Sequence, residues 1–197
     1  FVASEDKRFF EHGGVDWRAR GSALVQDWKS GHIVRGASTI SEQVVRMIHP
    51  RPRNVWSKWI EGIEATLLER EYAKADILEF YLNQVPYAAN RRGVVQAARY
   101  YFGRDLSTLS RREMLALAVL ARAPSSYDLY KNPAKIEGPV NRLTDALVRQ
   151  RLLTDKEAKE MRAQPFQLGQ PEPPVNAQHF AAYVRSHTQS AANELHT

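Results

Sequence analysis

The chain has 197 residues, of which 43% are hydrophobic and 25% charged, a balance that excludes a disordered chain and predicts a globular domain with a substantial core. It contains no cysteine, which excludes disulfide bonds, thiolate metal sites and cysteine nucleophiles. Lysine and arginine (28) outnumber aspartate and glutamate (22), and the formal charge of +6 favours an anionic partner: nucleic acid, a phosphate ester or an anionic membrane surface.

The sequence begins inside a pattern rather than at a methionine, so we expect a piece of a longer protein. No stretch approaches the ~20 consecutive apolar residues that a membrane span requires. We therefore expect any membrane anchor to lie outside this sequence.

The first predicted helix places an acid, Glu5, among apolar residues. Successive side chains of a helix are rotated by about 100°. In a helix over residues 1–11, one stripe therefore contains Phe1, Val2, Glu5 and Phe9. A carboxylate among aromatic groups is harder to ionise and has a raised pKa, as a general acid or base requires. The alternative is a charged helix start, in which acidic residues suit the positive end of the helix dipole.

The next two predicted helices are defined by their caps. Asp16 can cap a helix that runs to about Trp28. Thr39 and Glu42 form a capping box, which predicts a second helix through about His49.

Two loops contain further candidates for chemistry. Residues 36–39, Gly-Ala-Ser-Thr, place hydroxyl groups at a helix N-terminus, where Ser38 or Thr39 either caps the helix or helps to hold an anion. His12, which precedes two glycines, is either a ligand or base, or a residue that packs a tight turn. Without cysteines or a nearby His/Asp pair at metal-ligand spacing, packing is the better interpretation.

Residues 54–70 predict a strongly amphipathic helix. Its apolar face contains Trp56, Trp59, Ile60, Ile63 and Leu67. Lys58 and Glu61 lie three residues apart on the opposite side, where an exposed ion pair is the simplest interpretation. Arg46 and Arg53 precede this helix, however, and a cationic cluster around one carboxylate suits a phosphate or diphosphate group.

The later elements are also predicted to be helical. Residues 74–86 predict a partner for that amphipathic helix, and Ser110 and Glu113 form a second capping box before a very apolar, buried helix. A third capping box occupies residues 154–157. Because an alternation of period two is sustained nowhere, the predicted fold class is mainly α. The proline-rich residues 164–175 are expected to form a linker or a strap over the surface.

Five sequence blocks follow one another in a characteristic order: VASEDKRFFEHGGVD, GASTISEQVV, SKWIEGIEA, KADILEFYLNQVPY, and the segment from GVVQAARYYFGR to ARAPSSYD. In this order they resemble the glycosyltransferase domain of family 51, the peptidoglycan glycosyltransferase module of class A penicillin-binding proteins and monofunctional transglycosylases. The resemblance implies a glycosyltransferase domain over residues 1–165. Residues 166–197 would form a linker or the start of a following domain, and their NAQHFAAYVR segment resembles the penicillin-binding protein 1C type.

The resemblance implies a lysozyme-like helical fold with a small membrane-associated jaw lobe at about residues 16–52. The implied activity is polymerisation of lipid II into glycan strands at the outer face of the bacterial cytoplasmic membrane, with release of undecaprenyl diphosphate. The expected partners are lipid II, the growing glycan strand, the membrane surface and a transpeptidase domain in the full-length chain. Nucleic acid is not expected, because only the net positive charge favours it.

The resemblance also implies roles for individual residues. Glu5 would be the general base that deprotonates the 4-hydroxyl of the acceptor GlcNAc as it attacks C1 of the donor MurNAc with inversion. Glu61 would help to position the diphosphate, directly or through a divalent cation (Mg²⁺ or Mn²⁺), while Arg53 and Lys58 would neutralise it. The other residues that match substrate-site blocks of the family are Asp6, Phe9, His12, Ser38, Thr39, Gln43 and Arg46.

Three features depart from the family pattern. Glu42 replaces a common glutamine and adds negative charge near the expected diphosphate. Ser57 replaces a common arginine, so that one donor-side cation is missing, and Arg51 or Arg53 is a candidate to compensate for it. PYAANRRG replaces an aromatic-glycine pattern on the acceptor side. Two other functions stay open: a lytic glycan-cleaving enzyme on the same lysozyme-like fold, and, because the donor site departs from the family pattern, a catalytically weak module that binds lipid II or a partner.

Overall fold

A computed structural model of the protein describes residues 1–30, 38–124, 126–127, 129–130 and 132–170, and it describes residues 24–30 by their backbone alone. Over these residues the regular secondary structure is helical, and one isolated antiparallel bridge pairs Pro86 with Arg92. The prediction of a mainly α fold is confirmed. In the same part of the chain, no helix is both long enough and apolar enough to cross a membrane.

The described helices have the following bounds. In chain order they are α1 (Val2–Glu5), α2 (Trp17–Ser30), α3 (Ile40–Ile48), α4 (Val55–Glu71), α5 (Lys74–Gln84), α6 (Gly93–Phe102), α7 (Arg111–Arg122), α8 (Ala134–Arg149) and α9 (Asp155–Ala163). A short 3-10 turn, Leu106–Thr108, lies between α6 and α7. Helix α8, with Pro139 inside it, has no counterpart among the predicted elements.

Local capping explains many of these boundaries. All three predicted capping boxes form, and in each the first residue and the glutamate exchange hydrogen bonds: Thr39–Glu42, Ser110–Glu113 and Thr154–Glu157. Asp16 Oδ1 accepts a hydrogen bond from the backbone NH of Ala19 at 2.8 Å and so caps α2. These caps satisfy donors that a helix end leaves unpaired, which is why the sequence signals are reliable here.

Helix α7 lies at the centre of the hydrophobic core, as its apolar sequence predicts. Leu117 and Leu120 are fully buried, and α7 packs against α6, α8 and α9. On the other side, α5 packs against both α6 and α3, and α3 packs along α4. Gln43 on α3 and Arg122 at the end of α7 both lie beside Glu5, so the two sides of the fold meet at the end of α1.

The N-terminal helix is much shorter than predicted. Helix α1 ends at Glu5 and residues 7–10 form turns, so the prediction of a helix over residues 1–11 is wrong beyond Glu5. The cause is a tertiary hydrogen bond: Asp6 Oδ2 accepts from the backbone NH of Ile40 at 2.9 Å, which draws the chain out of the helical path. Phe9 is nevertheless completely buried in the core.

Helix α4 is amphipathic as predicted, but its apolar face is the exposed one. Trp56 and Trp59 are 74% and 54% exposed, and Ile63 and Leu67 are exposed as well. We call these four residues the outer face of α4. The buried positions of the helix are small or polar: Ser57, Glu61, Gly62 and Ala65.

The interpretation of Lys58 and Glu61 as an exposed ion pair is therefore wrong. Glu61 is buried, and its main partner is Arg46 of α3 rather than Lys58, whose Nζ lies 4.0 Å from Oε2. The polar side of α4 is buried because α3 packs along this helix and presents a guanidinium to it.

The described part of the proline-rich tail is a strap over the surface. Phe166 and Leu168 pack against the core, and the NH of Gly169 bonds the carbonyl of Tyr101 at 2.9 Å. Arg112 donates to the carbonyl of Gln164 at 2.8 Å and fixes the start of the strap. Residues 171–197, including the rest of the predicted linker, lie outside the described residues.

Candidate active site

Glu5 lines a cleft bordered by α3, α7 and α8, which we call the Glu5 cleft. Its polar and charged lining consists of Ser4, Glu5, Lys7, Ser38, Gln43, Arg46, Arg122, Tyr127 and Arg142. Its volume of about 570 Å³ lies within the range of about 300–1,000 Å³ that is common for small-molecule sites. The cleft is therefore large enough for a small-molecule ligand, and its cationic side chains favour an acidic one.

The Glu5 carboxylate is 12% exposed and has few partners. Gln43 Nε2 donates to Oε2 over a long 3.3 Å, and Oε1 accepts no hydrogen bond from the described residues, although Arg122 Nε lies 3.3 Å away. Burial raises the pKa of Glu5, while the charge of Arg122 and the Gln43 hydrogen bond oppose this rise in part. A carboxylate with a raised pKa and an oxygen that accepts no hydrogen bond from the described residues is suited to accept a proton.

The turn after Glu5 is fastened to the start of α3 by buried hydrogen bonds. Asp6 accepts from the first backbone NH of α3 and from His12 Nε2, which lies 3.0 Å from both carboxylate oxygens. Thr39 Oγ1 donates to the carbonyl of Gly14 at 2.6 Å. His12 thus bonds to Asp6 within a tight turn.

Gly14 allows this turn to lie directly on α4. Its φ of +90° belongs to the region that favours glycine, and a Cβ at this position would lie only 2.5 Å from the backbone nitrogen of Thr66. Any side chain here would strain the turn or push α4 away. The glycine is therefore required for the geometry that positions Glu5.

A second cavity, here called the cation cavity, lies beside residues of α2, α3 and α4. Its charged lining consists of Arg20, Arg46, Arg53, Lys58 and Glu61. The other lining residues are Ser38, Asn54, Val55, Ser57 and Trp59. The structure thus brings together the cationic cluster that the sequence predicted.

Arg46 and Glu61 form an ion pair in the lining of the cation cavity. Arg46 donates through Nε and Nη2 to the two oxygens of Glu61, at 2.8 and 2.6 Å. Burial disfavours the charged form of Glu61, but the hydrogen bonds and charge of Arg46 outweigh it, so the pKa of Glu61 lies below its usual range. The same hydrogen bonds raise the pKa of Arg46, and both groups stay charged at neutral pH.

Lys58 lies next to this pair, and it loses its proton more readily than Arg46 does. Its Nζ donates to Ser38 Oγ and lies 3.5 Å from Glu42 Oε1. Burial lowers the pKa of Lys58, with Glu42 acting against the shift and Arg46 adding to it. A bound anion would raise the pKa of Lys58 again, because it would stabilise the charged amine.

The two cavities adjoin, since Ser38 and Arg46 belong to the lining of both. A ligand that spanned the boundary would hold an anionic group among the cations and present the neighbouring atoms toward Glu5. This arrangement suits a reaction in which a base activates one group while cations stabilise a negatively charged leaving group.

The predicted site residues fall into two groups. Seven line one or both cavities: Glu5, Ser38, Gln43, Arg46, Arg53, Lys58 and Glu61. Asp6, Phe9, His12 and Thr39 line neither of them and lie in the protein interior or close to it. Gly36 and Ala37 of the predicted anion loop lie outside the described residues.

Sequence reasoning missed two cations and misplaced a third. Arg122 lies beside Glu5, and Arg20 lines the cation cavity, but neither occurs in a local motif. Arg51, a candidate to compensate for Ser57, instead bonds Glu64 through both Nη atoms at 2.8 and 2.5 Å and does not line the cavity.

The donor set at Glu61 does not fit a divalent metal ion. Both oxygens accept hydrogen bonds from Arg46, and Lys58 is a further cation nearby, whereas Mg²⁺ needs oxygen ligands free to coordinate it. Across the residues that the structure describes, no cluster of three or more His, Cys, Asp or Glu side chains is suited to a metal. No step of the chemistry proposed for this site involves a metal ion.

A helical domain with adjoining base and anion sites fits a group-transfer enzyme whose substrate contains phosphate. A family model described as Transglycosylase matches residues 1–148, and the chain belongs to this transglycosylase family.

Relatives of this chain include several penicillin-binding proteins. Penicillin-binding protein 2D of Bacillus subtilis (strain 168) is 33% identical over 166 residues, which cover 84% of this chain and 24% of the relative. Penicillin-binding protein 1C of Escherichia coli (strain K12) is 31% identical over 186 residues, or 94% of this chain and 24% of the relative. The biosynthetic peptidoglycan transglycosylase of Acinetobacter baumannii (strain ACICU) is 34% identical over 137 residues, or 69% of this chain and 61% of the relative.

The chain thus spans about a quarter of the length of these two penicillin-binding proteins. Among solved structures, penicillin-binding protein 1A from Haemophilus influenzae matches with a TM-score of 0.50 at 20% identity, over 76% of this chain and 19% of that one. This likeness supports the shared helical fold.

Proposed function

We propose that this chain is a peptidoglycan glycosyltransferase that polymerises lipid II into glycan strands. The observation that carries the proposal is that a buried Glu5 oxygen, which accepts no hydrogen bond from the described residues, lies in a cleft adjoining a cavity with four described cationic side chains. The relatives whose names include peptidoglycan transglycosylase support the same substrate class.

In the proposed reaction Glu5 acts as the general base. Its carboxylate takes the proton of the 4-hydroxyl of the acceptor GlcNAc as that oxygen forms a bond to C1 of the donor MurNAc. The bond from C1 to the diphosphate oxygen breaks on the opposite face, so the configuration inverts and undecaprenyl diphosphate leaves with the electron pair. No acid is needed at the leaving oxygen, because a diphosphate is a good leaving group once its charge is neutralised, unlike the alcohol released by a glycosidase.

The cation cavity is the proposed site of the donor diphosphate. Lys58, Arg46 and Arg53 would neutralise it, and Glu61 would orient Arg46 through the paired hydrogen bonds. Ser38, at the boundary of the two cavities, would lie near the reacting C1 atom.

Asp6, Phe9, His12 and Thr39 are proposed to support this geometry without touching the substrate. They line neither cavity, and hydrogen bonds of Asp6, His12 and Thr39 join the turn after Glu5 to α3. Their substitution would act on the rate through the placement of Glu5.

The outer face of α4 is proposed to contact the lipid bilayer from its extracytoplasmic side. Exposed tryptophans are favoured at membrane interfaces because the ring is apolar and the indole NH is polar. Trp17, also exposed, extends this surface, with its ring centroid 6.4 Å from that of Trp59. Such a contact would keep the cation cavity close to lipid-linked substrates.

Polymerisation of purified lipid II tests the proposal, with Glu5→Gln as the variant. We expect the parent to release undecaprenyl diphosphate and long glycan, and the variant to lose activity about 10²–10⁴-fold because the base is gone. Glu11→Gln, at an exposed position of the same block, is the matched control and should keep the parental rate.

Three results would overturn the proposal. Equal polymerisation by Glu5→Gln and the parent would remove Glu5 as the base. Cleavage of preformed glycan without polymerisation would identify a lytic enzyme. Binding of lipid II without any product, with or without Mg²⁺, would identify a binding module.

A further inference from the structure

Arg20 of α2 is a cation of the cation cavity to which the family resemblance assigns no role. Its Nη2 atom donates a hydrogen bond to Glu42 Oε1. The Arg20 side chain is 15% exposed, whereas that of Glu42 is completely buried. The Arg20 guanidinium therefore lines the cavity and also pairs with the buried Glu42 carboxylate. It neutralises the negative charge of Glu42, one of the three departures from the family pattern.

The two carboxylate oxygens of Glu42 have different partners. Oε2 accepts from the backbone NH of Thr39 at 2.9 Å and completes the capping box of α3. Oε1 faces Arg20 and lies 3.5 Å from Lys58 Nζ. The helix cap thus fixes the carboxylate, and the carboxylate holds two cations at one wall of the cavity.

Neighbouring residues leave a defined space for the Arg20 guanidinium. A Cβ at Gly62 would lie 3.4 Å from Arg20 Nη2 and 3.3 Å from Val15 Cγ2, so a larger residue on this part of α4 would displace the guanidinium. On another side, the guanidinium carbon lies 5.3 Å from the centre of the Trp17 ring, within cation–π range. Arginine suits such a site because its planar group can stack, pair with Glu42 and still offer donors to an anion.

The formal charge of the cavity fits a diphosphate when Arg20 is included. Among the described side chains, Arg20, Arg46, Arg53 and Lys58 provide four positive charges, and Glu42 and Glu61 provide two negative ones, which leaves +2. A diphosphate with two organic substituents carries about two negative charges, one per phosphate. Ser57, where the family resemblance implies an arginine, lines the same cavity without charge.

We propose that Arg20 binds the donor diphosphate in this chain and supplies the cation that Ser57 leaves missing, with Glu42 holding it at the cavity wall. The substrate in this assignment rests on the proposed function, because the diphosphate is that of the lipid-linked donor.

Two single variants and their combination test the assignment: Arg20→Met, Glu42→Gln, and both together. Binding of inorganic diphosphate is measured by calorimetry, and the KM and kcat for lipid II are measured in parallel. We expect Arg20→Met to weaken diphosphate binding about tenfold, the loss of one charge-assisted hydrogen bond at a partly exposed site, and to raise KM more than it lowers kcat.

Glu42→Gln is the matched control, since it changes the same network but keeps Arg20. We expect it to bind diphosphate at least as tightly as the parent, because a buried negative charge is removed and the amide oxygen can still accept from Arg20, although the amide nitrogen no longer accepts from the backbone NH of Thr39. If it weakens binding as much as Arg20→Met although the amide oxygen still holds Arg20, contact by Arg20 does not determine the affinity and the assignment is overturned.

The combined variant distinguishes direct contact between Arg20 and the anion from an effect of the net charge of the cavity. It also controls for loss of folding. Arg20→Met alone leaves the buried Glu42 carboxylate with Lys58, 3.5 Å away, as its remaining described cationic partner, which is destabilising, whereas removal of both Arg20 and the Glu42 charge is tolerated far better. The combined variant has the parental formal charge of the cavity. Weaker diphosphate binding than the parent, in a protein with a cooperative thermal transition, supports direct contact by Arg20, and parental binding overturns it.

The two proposals fail in different ways. If the parent binds inorganic diphosphate through Arg20 but makes no glycan from lipid II, the proposed function fails while the role of Arg20 as an anion ligand stands. If the parent makes glycan and the combined variant has parental diphosphate affinity and KM, the polymerase stands and the role of Arg20 falls.

Discussion

Removal of the positive charge beside Glu5 should move the acid limb of the pH–rate profile. Arg122 Nε lies 3.3 Å from Glu5 Oε1, and its charge lowers a pKa that burial raises. A general base works in its ionised form, so the rate falls as the pH drops through the pKa of Glu5. In Arg122→Met the opposing charge is absent, the pKa of Glu5 rises further, and the acid limb moves to higher pH.

The size of this effect follows from Coulomb's law with allowance for solvent. Arg122 is 52% exposed, so its interaction with Glu5 is screened almost as in water. Two unit charges about 3–4 Å apart then interact by about 1 kcal/mol, or roughly fivefold in proton affinity. We therefore expect about a fivefold lower rate at a pH on the acid limb and little change on the plateau, where Glu5 is ionised in both proteins.

The assay is the initial rate of lipid II polymerisation across pH for the parent, Arg122→Met and Arg122→Lys. Lysine keeps the charge, so the acid limb of Arg122→Lys should stay close to that of the parent. An equal loss of rate at every pH would show that Arg122 acts in substrate binding and not on Glu5. An acid limb at lower pH in Arg122→Met would also refute the reasoning, because it would require Arg122 to raise the pKa.

Two further predictions concern the turn after Glu5 and the outer face of α4. Gly14→Ala should lower the free energy of unfolding by at least about 2 kcal/mol, measured by denaturant titration, because its φ is strained for alanine and the new Cβ would meet the backbone of α4. Gly13→Ala is the control, since a Cβ there meets no atom of the described residues within 4 Å, and similar losses in both would contradict the described packing. Trp56→Ser combined with Trp59→Ser should weaken co-sedimentation with anionic vesicles about tenfold without lowering the melting temperature, because both rings are exposed and interfacial binding scales with buried apolar area. Tyr72→Ser, at an exposed position past the end of α4, is the control, and unchanged sedimentation of the tryptophan variant would exclude a lipid contact by this face.

Helix ends were predictable because their signals are local. The Thr39–Glu42 box joins residues three apart, and its hydrogen bonds form wherever that segment is helical. The same holds for Asp16, whose partner lies three residues further on. The end of α1 at Glu5 was not predictable in this way, because it depends on a hydrogen bond that Asp6 accepts from the backbone NH of Ile40, far away in sequence.

The composition of the site was predictable in part, and its pairings were not. The sequence placed Arg46, Lys58 and Glu61 in one cationic cluster, and the structure brings them together. It could not place Arg20 on Glu42 or Arg122 beside Glu5, because each pair joins different elements and has no spacing that a sequence pattern reveals.

The side of α4 that is buried was not predictable from its amphipathic pattern, which normally places the apolar face inside. The proposed substrate accounts for the exception. Lys58 and Trp59 are sequence neighbours about 100° apart on the helix, and both line the cation cavity, while Trp59 continues into the exposed outer face. A lipid-linked diphosphate likewise has its charge and its hydrocarbon chain side by side. Helix α4 can therefore hold the diphosphate among cations while its outer face contacts the bilayer in which the hydrocarbon chain of the substrate lies. A water-soluble sugar nucleotide would need the cations but would give no reason for two exposed tryptophans beside them.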